Sequence, residues 1–310
     1  MNDIPLVDLT PAHAGNAEGE KAVAYEIDHA CRELGFFSLC GHNLDKSIFA
    51  DAHSASREFF RLPLSEKVKC KLPTGATRSA DDYTPYGYSG LLDENAYAYM
   101  GQFGKPSDYV EKYSTGRLIL NDDEPLPFLD DEKGSRFRLA LKRYFVGCCE
   151  LAARVAELLT IPLGLPRDFF AQRIDSSEDS LRSMMYPSFT PEFANHQGMA
   201  EHTDGTLMTI LTQTAPGIEV KSRSGEWISP KPRDLDHFVV NIGDLLAHWT
   251  KGEYLSTAHR VVLRDHERQA LVFFKLTNQD ALVEFGNKQM DALFGRVLST
   301  VEGGSDKERG

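Results

Sequence analysis

Much that would mark a familiar class of protein is missing from this chain of 310 residues, and each absence removes an option. Its five cysteines, Cys31, Cys40, Cys70, Cys148 and Cys149, are odd in number and include no Cys-x-x-Cys. Neither a disulfide framework nor a zinc knuckle is expected, and buried thiols are. Positive charge is scarce: 34 Lys and Arg stand against 46 Asp and Glu, a formal net charge of −12. Such a balance suits nucleic-acid phosphates poorly, so no nucleic-acid partner is expected. No apolar run reaches membrane-spanning length, and Met1-Asn2-Asp3 lacks the basic start and hydrophobic run of a signal peptide. The expectation is a cytoplasmic protein with no membrane partner. Internal repeats, a nucleophile elbow and His-Glu-x-x-His are also lacking, and Gly104-Lys105 runs into Pro106, which spoils a phosphate loop.

What is present fits an ordinary globular chain, 41% hydrophobic and 26% charged. Patterning predicts an amphipathic helix over 18–33, a strand over 35–40 and a second helix over 45–61 ended by Pro63. Residues 71–136 are richer in Gly, Pro and Asp and carry Tyr83, Tyr86, Tyr88, Tyr97, Tyr99, Tyr109 and Tyr113. Tyrosines in such loops can line a pocket, although packing over a sheet is the default for any one of them. Phe137 to Leu159 has helical spacing of Leu139, Leu141, Tyr144, Phe145, Cys148, Leu151 and Val155. Short strands separated by turns then dominate 181–276, which suggests a jelly roll. The fold class expected is mixed α/β with a mainly β core. One catalytic domain over 1–310 is expected: an N-terminal helix, strand and loop region (1–136), a long supporting helix and connection (137–180), a jelly-roll core (181–276) and a C-terminal segment (277–310). Gly303 to Gly310 reads as a mobile tail.

The chemistry is concentrated in His202-Thr203-Asp204 and a distant His259. On a strand, residues i and i+2 share a face, so His202 and Asp204 can grip one ion while Thr203 points away. Two imidazoles and a carboxylate are the side chains of a 2-His-1-carboxylate iron site, which leaves open positions for dioxygen and a bidentate cosubstrate. Zinc is the rival, since three protein ligands plus a water make a hydrolase, with Glu201 the available acid or base. A surface strand is the bland alternative for so short a motif. Nine residues after His259, Arg268 opens Arg268-Gln269-Ala270-Leu271-Val272-Phe273-Phe274, where alternation puts Arg268, Ala270, Val272 and Phe274 together. An arginine on an otherwise apolar face needs an anion, and its fork suits a carboxylate. His196 and His248 flank the site segments, so either could contact substrate or relay a proton, with packing as the default.

Read together, these segments resemble the isopenicillin N synthase-like family of non-haem Fe(II), 2-oxoglutarate-dependent dioxygenases. The resemblance begins at Ile4-Pro5-Leu6-Val7-Asp8-Leu9 and passes through Gly35-Phe36-Phe37 and Gly41-His42-Asn43. It continues through Tyr186-Pro187, the His-Thr-Asp segment, Pro216-Gly217-Ile218-Glu219-Val220, Val240-Asn241-Ile242-Gly243-Asp244 and His259-Arg260-Val261-Val262. It implies a double-stranded β-helix braced by N-terminal helices, with iron ligands at His202, Asp204 and His259. Arg268 would pair the distal carboxylate of 2-oxoglutarate, and Tyr186 would add a phenolic hydrogen bond. The implied cofactors are Fe(II), 2-oxoglutarate and dioxygen. The implied reaction oxidises a C–H bond of a small-molecule substrate by hydroxylation, desaturation or ring formation.

Two positions depart from the family pattern: Ala270 stands where the Arg-x-Ser serine is usual, and Met184 stands where many members carry asparagine. A keto-acid-independent oxidase of the same fold is therefore the alternative within the class. Ser107-Asp108-Tyr109 and Tyr113-Ser114-Thr115-Gly116 are similar to a segment of ring-expanding, cephalosporin-type members. That similarity implies antibiotic or other specialised biosynthesis, with Lys112 or Arg117 as an anchor for a substrate carboxylate unless they are solvated. The oligomeric state is not legible.

Overall fold

Alternation along the C-terminal strands sorts the apolar side chains onto two faces of one large sheet, and this sets the architecture of the computed structural model. The structure describes residues 3–13, 15–71, 86–93, 95–99, 103–193, 195–231 and 233–281. The helices are α1 (Thr10–His13), α2 (Ala17–Glu33), α3 (Lys46–Phe60), α4 (Leu64–Lys67), α5 (Ala96–Tyr99), α6 (Glu132–Leu163), α7 (Ala171–Ile174) and α8 (Asp244–Trp249). The first strands are β1 (Leu6–Asp8), β2 (Phe36–Cys40), β3 (Gly87–Ser89), β4 (Glu111–Gly116) and β5 (Ser180–Tyr186). After them come β6 (Met199–His202), β7 (Met208–Gln213), β8 (Ile218–Lys221), β9 (Trp227–Ile228), β10 (Phe238–Ile242), β11 (His259–Val261) and β12 (Arg268–Lys275).

These strands form an eight-stranded sheet, ordered β1-β2-β10-β7-β12-β5-β4-β3, and a four-stranded sheet, β6-β11-β8-β9. Only the β1–β2 pair is parallel among the described pairs. Two antiparallel sheets with non-sequential neighbours make the expected jelly roll. Four strands of the larger sheet come from residues before 137, so the N-terminal region is part of the sheet as well as its brace.

On β12, Leu271 and Phe273 point out towards the helices, while Ala270 and Val272 join Met184, Tyr186, Leu211 and Val261 in a second core between the sheets. The outer core is covered by α2, α3 and α6. Asn16 caps α2 by accepting from the Glu18 amide, and Val23, Ala24, Ile27, Ala30 and Cys31 recur at helical spacing on its buried side.

The long helix starts earlier than its apolar pattern suggests. Asp131 accepts from the Gly134 amide and so sets the start at Glu132, and Gly164, in the left-handed region at φ 64°, ends it. Leu139 is exposed rather than part of the stripe, because Phe137 and Ala140 take the inward positions beside Leu141.

Tyr88 and Tyr113 pack edge-on against Phe59, and Tyr86 and Tyr109 are also buried. Tyr83, the Tyr99 side chain and the expected C-terminal tail lie outside the described residues. Among the cysteines, Cys31, Cys70 and Cys148 are buried, Cys40 and Cys149 half-buried, and all five are free thiols. No helix among the described residues is long and apolar enough to cross a membrane.

Candidate active site

The two sheets face each other across a cavity of about 330 Å³. His202 is the last residue of β6 and His259 the first of β11, and the antiparallel register sets them directly opposite one another. Their ring centroids are 4.3 Å apart. Asp204 belongs to the turn after β6 rather than to the strand, which corrects the expectation of one shared strand face. With the strand ended, Thr203 does not point away: it also lines the cavity and donates from Oγ1 to Asp244 Oδ2 at 3.1 Å.

The Asp204 carboxylate lies 3.6 Å from His202 Nε2 and 3.7 Å from His259 Nε2, and one ligand atom from each residue lies within 4.8 Å of the others. Each imidazole is oriented by its own backbone. His202 Nδ1 donates to Ala200 O at 2.7 Å, and His259 Nδ1 to Thr257 O at 3.1 Å. A carbonyl can only accept, so Nδ1 carries the proton and Nε2 keeps its lone pair for a metal. Burial, reinforced by His259 alongside, pulls His202 down to about 4, which keeps the ring neutral. Asp204 Oδ2 accepts from Thr209 Oγ1 at 2.6 Å and Asn241 Nδ2 at 2.8 Å, which leaves Oδ1 without these donors. Three donors of this type, two buried and His202 half-buried, on three segments of one fold, could hold an iron ion with positions to spare.

The arginine end of the cavity is built by β5 and β12. Arg268 pairs in register with Tyr186, and its guanidinium lies 4.8 Å from the Tyr186 ring centre. Nε donates to Gln213 Oε1 and Ala215 O, both at 3.2 Å, and Nη2 donates to Gln213 Oε1 at 2.8 Å. All these acceptors are neutral. Nη1 is buried with no hydrogen-bond partner, although Arg268 is only 3% exposed. A cation buried this deeply beside neutral oxygens, with one donor left over, fits a small carboxylate in the cavity. Burial also pulls the Arg268 pKa down, against the opposing influence of Tyr186. Gly217 makes room, since a Cβ there would meet Arg268 Cδ at 2.7 Å. The Tyr186 hydroxyl donates to the Met184 thioether, 3.4 Å away, a weak acceptor that a carboxylate would displace.

Ala270 and Met184 pair in register and both face the cavity, so the two departures from the family pattern make one apolar patch beside Arg268. Glu201, the candidate acid or base of a hydrolase, is committed to Lys221 at 2.7 Å and does not line the cavity. His196, whose Nδ1 meets Ser107 O at 2.9 Å, does not line it, nor does the exposed His248. Lys112 is buried in the large sheet rather than solvated, and Arg117 donates to Ser177 O; neither reaches the cavity, so the expected carboxylate anchors are not there. The supporting residues Gln213, Thr209, Asn241 and Gly217 were given no site role in the sequence reading, although Asn241 and Gly217 lie in the segments that carry the resemblance.

A jelly roll with two histidines, a carboxylate and a buried arginine around one cavity defines the class of non-haem iron oxygenases. Comparison with known proteins makes this specific. Residues 178–277 match the 2OG-Fe(II) oxygenase superfamily, and residues 4–133 match the N-terminal region of non-haem dioxygenases in morphine synthesis. The chain is 31% identical to homoarginine-6-hydroxylase 2-ODD-233 of Oryza sativa subsp. japonica, over 91% of this chain and 88% of that protein. It is 30% identical to the 2-oxoglutarate-Fe(II) type oxidoreductase ppzC of Metarhizium majus, over 84% and 73% of the two chains. The crystal structure of a full-length Neurospora crassa protein in complex with alpha-KG superposes with a TM-score of 0.81 at 25% identity, covering 96% of each chain. The chain belongs to the 2OG-Fe(II) oxygenase superfamily, and is an oxidoreductase whose cofactor is Fe(II) and whose cosubstrate is 2-oxoglutarate.

Proposed function

We propose that this enzyme oxidises a C–H bond of a small metabolite, with His202, Asp204 and His259 as the iron ligands and Arg268 and Tyr186 as the residues that hold 2-oxoglutarate. The observation that carries the cosubstrate assignment is the unpartnered Nη1 of Arg268, a buried charged donor on the cavity wall. When bound, Fe(II), 2-oxoglutarate and dioxygen supply an oxidant able to remove hydrogen from an unactivated C–H bond, and the keto acid leaves as succinate and carbon dioxide.

The chain's own part is orientation. Ala200 and Thr257 fix the two imidazoles through their carbonyls, and Thr209 and Asn241 fix the carboxylate. Gln213 and the Ala215 carbonyl hold the Arg268 fork in place before any ligand arrives, so little ordering remains to be done on binding. The apolar wall of Met184, Ala270 and Val272 keeps water from the space between the arginine and the ligand triad.

Against a keto-acid-independent oxidase stand the relatives, which include a 2-oxoglutarate-Fe(II) type oxidoreductase and a protein crystallised with alpha-KG, and a hydrolase would need Glu201 turned inwards. The test is succinate formation from 2-oxoglutarate by the Fe(II)-loaded protein. Arg268→Ala should raise the KM for 2-oxoglutarate by at least ten- to a hundredfold, since a hydrogen bond to a charged group is worth about 1.5–3 kcal/mol, and should leave iron stoichiometry unchanged. Unchanged KM would remove Arg268 from the cosubstrate site.

A further inference from the structure

The cavity contains a second arginine, which the reading above does not use. Along β5, Ser180, Arg182, Met184 and Tyr186 all face inwards, opposite the inward residues of β12, and Arg182 is in register with Val272. The Arg182 guanidinium lies 4.9 Å from the ring centre of Phe274 on β12, which mirrors the placement of Arg268 against Tyr186 on β5. Arg182 therefore stands four residues along the strand pair from Arg268, about 13 Å at the usual rise per residue.

Beyond its backbone pairing in the sheet and the Phe274 ring, the Arg182 guanidinium makes no hydrogen bond or ion pair with a described residue. That is unusual for this protein: the half-buried Arg260 and Arg154 each hold carboxylates, at 2.8 Å from Glu219 and 2.6 Å from Glu157. Two carboxylates line the same cavity, and neither serves Arg182. Asp204 belongs to the ligand triad. Asp108 is taken up by the backbone amides of Ala96, at 2.6 Å, and Ala200, at 3.0 Å. A guanidinium laid on an aromatic ring keeps its in-plane donors free, and those donors form a fork that matches a carboxylate.

We propose that Arg182 anchors a carboxylate of the substrate, so that the enzyme acts on organic acids whose apolar or aromatic body lies along the Met184, Val272 and Phe274 wall. The proposal rests on the functional reading above, in which Arg268 and the triad are occupied by the cosubstrate and iron. Arg268 cannot serve both anions, because a single deep fork holds one carboxylate. Arg182 then sets the substrate's distance and orientation from the metal, and a neutral analogue of the same shape would leave the guanidinium half-buried and unpaired.

The test uses the Fe(II)- and 2-oxoglutarate-loaded enzyme with phenylacetate, 3-phenylpropanoate and indole-3-acetate, each beside its primary amide. Two readouts are taken: anaerobic binding, from the shift of the visible charge-transfer band, and succinate release after air is admitted. Acids should shift the band and stimulate succinate release, and amides should bind at least tenfold more weakly. Arg182→Gln should remove this preference and raise the KM for the acids ten- to a hundredfold, with a smaller change in kcat, and Arg182→Lys should restore part of it. The proposal is overturned if the amides engage as well as the acids, if none of the acids shifts the band, or if Arg182→Gln keeps the acid preference. The band of the enzyme with 2-oxoglutarate alone separates the two levels. Its presence in both wild type and Arg182→Gln keeps the functional reading whatever the acids do, whereas its absence in wild type removes that reading and this one with it.

Discussion

At the scale of single residues, Arg268 shows why sequence could place an inward-facing arginine but not describe its surroundings. Its inward direction followed from alternation along a single strand. Its partners Gln213, Ala215 and Gly217 arrive from a different segment and become visible only with the β7–β12 register in hand. The same holds for Arg182, whose inward direction means nothing until β5 is paired with β12. Two substitutions follow. Gly217→Ala places a methyl group within overlap distance of the Arg268 side chain, and the buried guanidinium must leave its position. We expect the KM for 2-oxoglutarate to rise about tenfold or more with iron stoichiometry retained; an unchanged KM would show that Arg268 is free to yield. Ala270→Ser restores a hydroxyl on the inward face next to Arg268. A neutral hydrogen bond nets about 0.5–1.5 kcal/mol, so the Kd for 2-oxoglutarate should fall roughly two- to tenfold in anaerobic titration.

At the scale of elements, the three long helices α2, α3 and α6 were legible because capping and periodicity are local, and the ends that moved did so for local reasons, as at Asp131; the short helices, α8 within the expected strand region among them, were not read. The His-x-Asp pair was legible as chemistry but not as geometry: β6 stops at His202, and the turn that follows brings Asp204 under Thr209 and Asn241. A buried polar knot fastens the helices to the sheet and was not read at all. His53 Nε2 on α3 meets Thr212 Oγ1 on β7 at 2.9 Å, the Tyr144 hydroxyl on α6 meets the same oxygen at 2.9 Å, and Gln269 Nε2 donates to His53 O at 3.2 Å. Burial holds His53 down to about 4, against an ordinary value of 6.5. Between those values the unfolded chain takes up a proton that the folded chain refuses, so this group's contribution is complete above pH 6.5 and is lost as pH falls towards 4. The slope is at most about 1.4 kcal/mol per pH unit. Thermal melts from about pH 7 to 4 should show a shallower loss of stability for His53→Gln than for wild type; parallel curves would assign the acid sensitivity elsewhere.

At the scale of the whole molecule, the jelly roll was legible from the spacing of strands and turns, and its extent was not. β1 to β4 are short or lie in glycine- and proline-rich sequence, and they join the large sheet through partners far along the chain, which no local pattern reports. The resulting sandwich closes around the cavity whose proposed iron ligands come from β6, the turn after it and β11, so binding should couple to global stability. Saturating Mn(II) with 2-oxoglutarate at about a hundred times Kd adds about 2.7 kcal/mol, which for a chain of this size is roughly 4 °C in Tm. Asp204→Ala should lose most of that gain in the same melt. The most direct test of the central claim is the anaerobic visible spectrum of the protein with one equivalent of Fe(II) and excess 2-oxoglutarate, recorded for wild type, Arg268→Ala and Asp204→Ala. The expected result is a weak charge-transfer band in wild type, iron retained without the band at the same keto-acid concentration in Arg268→Ala, and no stoichiometric iron in Asp204→Ala. Iron-loaded wild type with no band, or Asp204→Ala that holds a full equivalent of iron and shows the band, would contradict it.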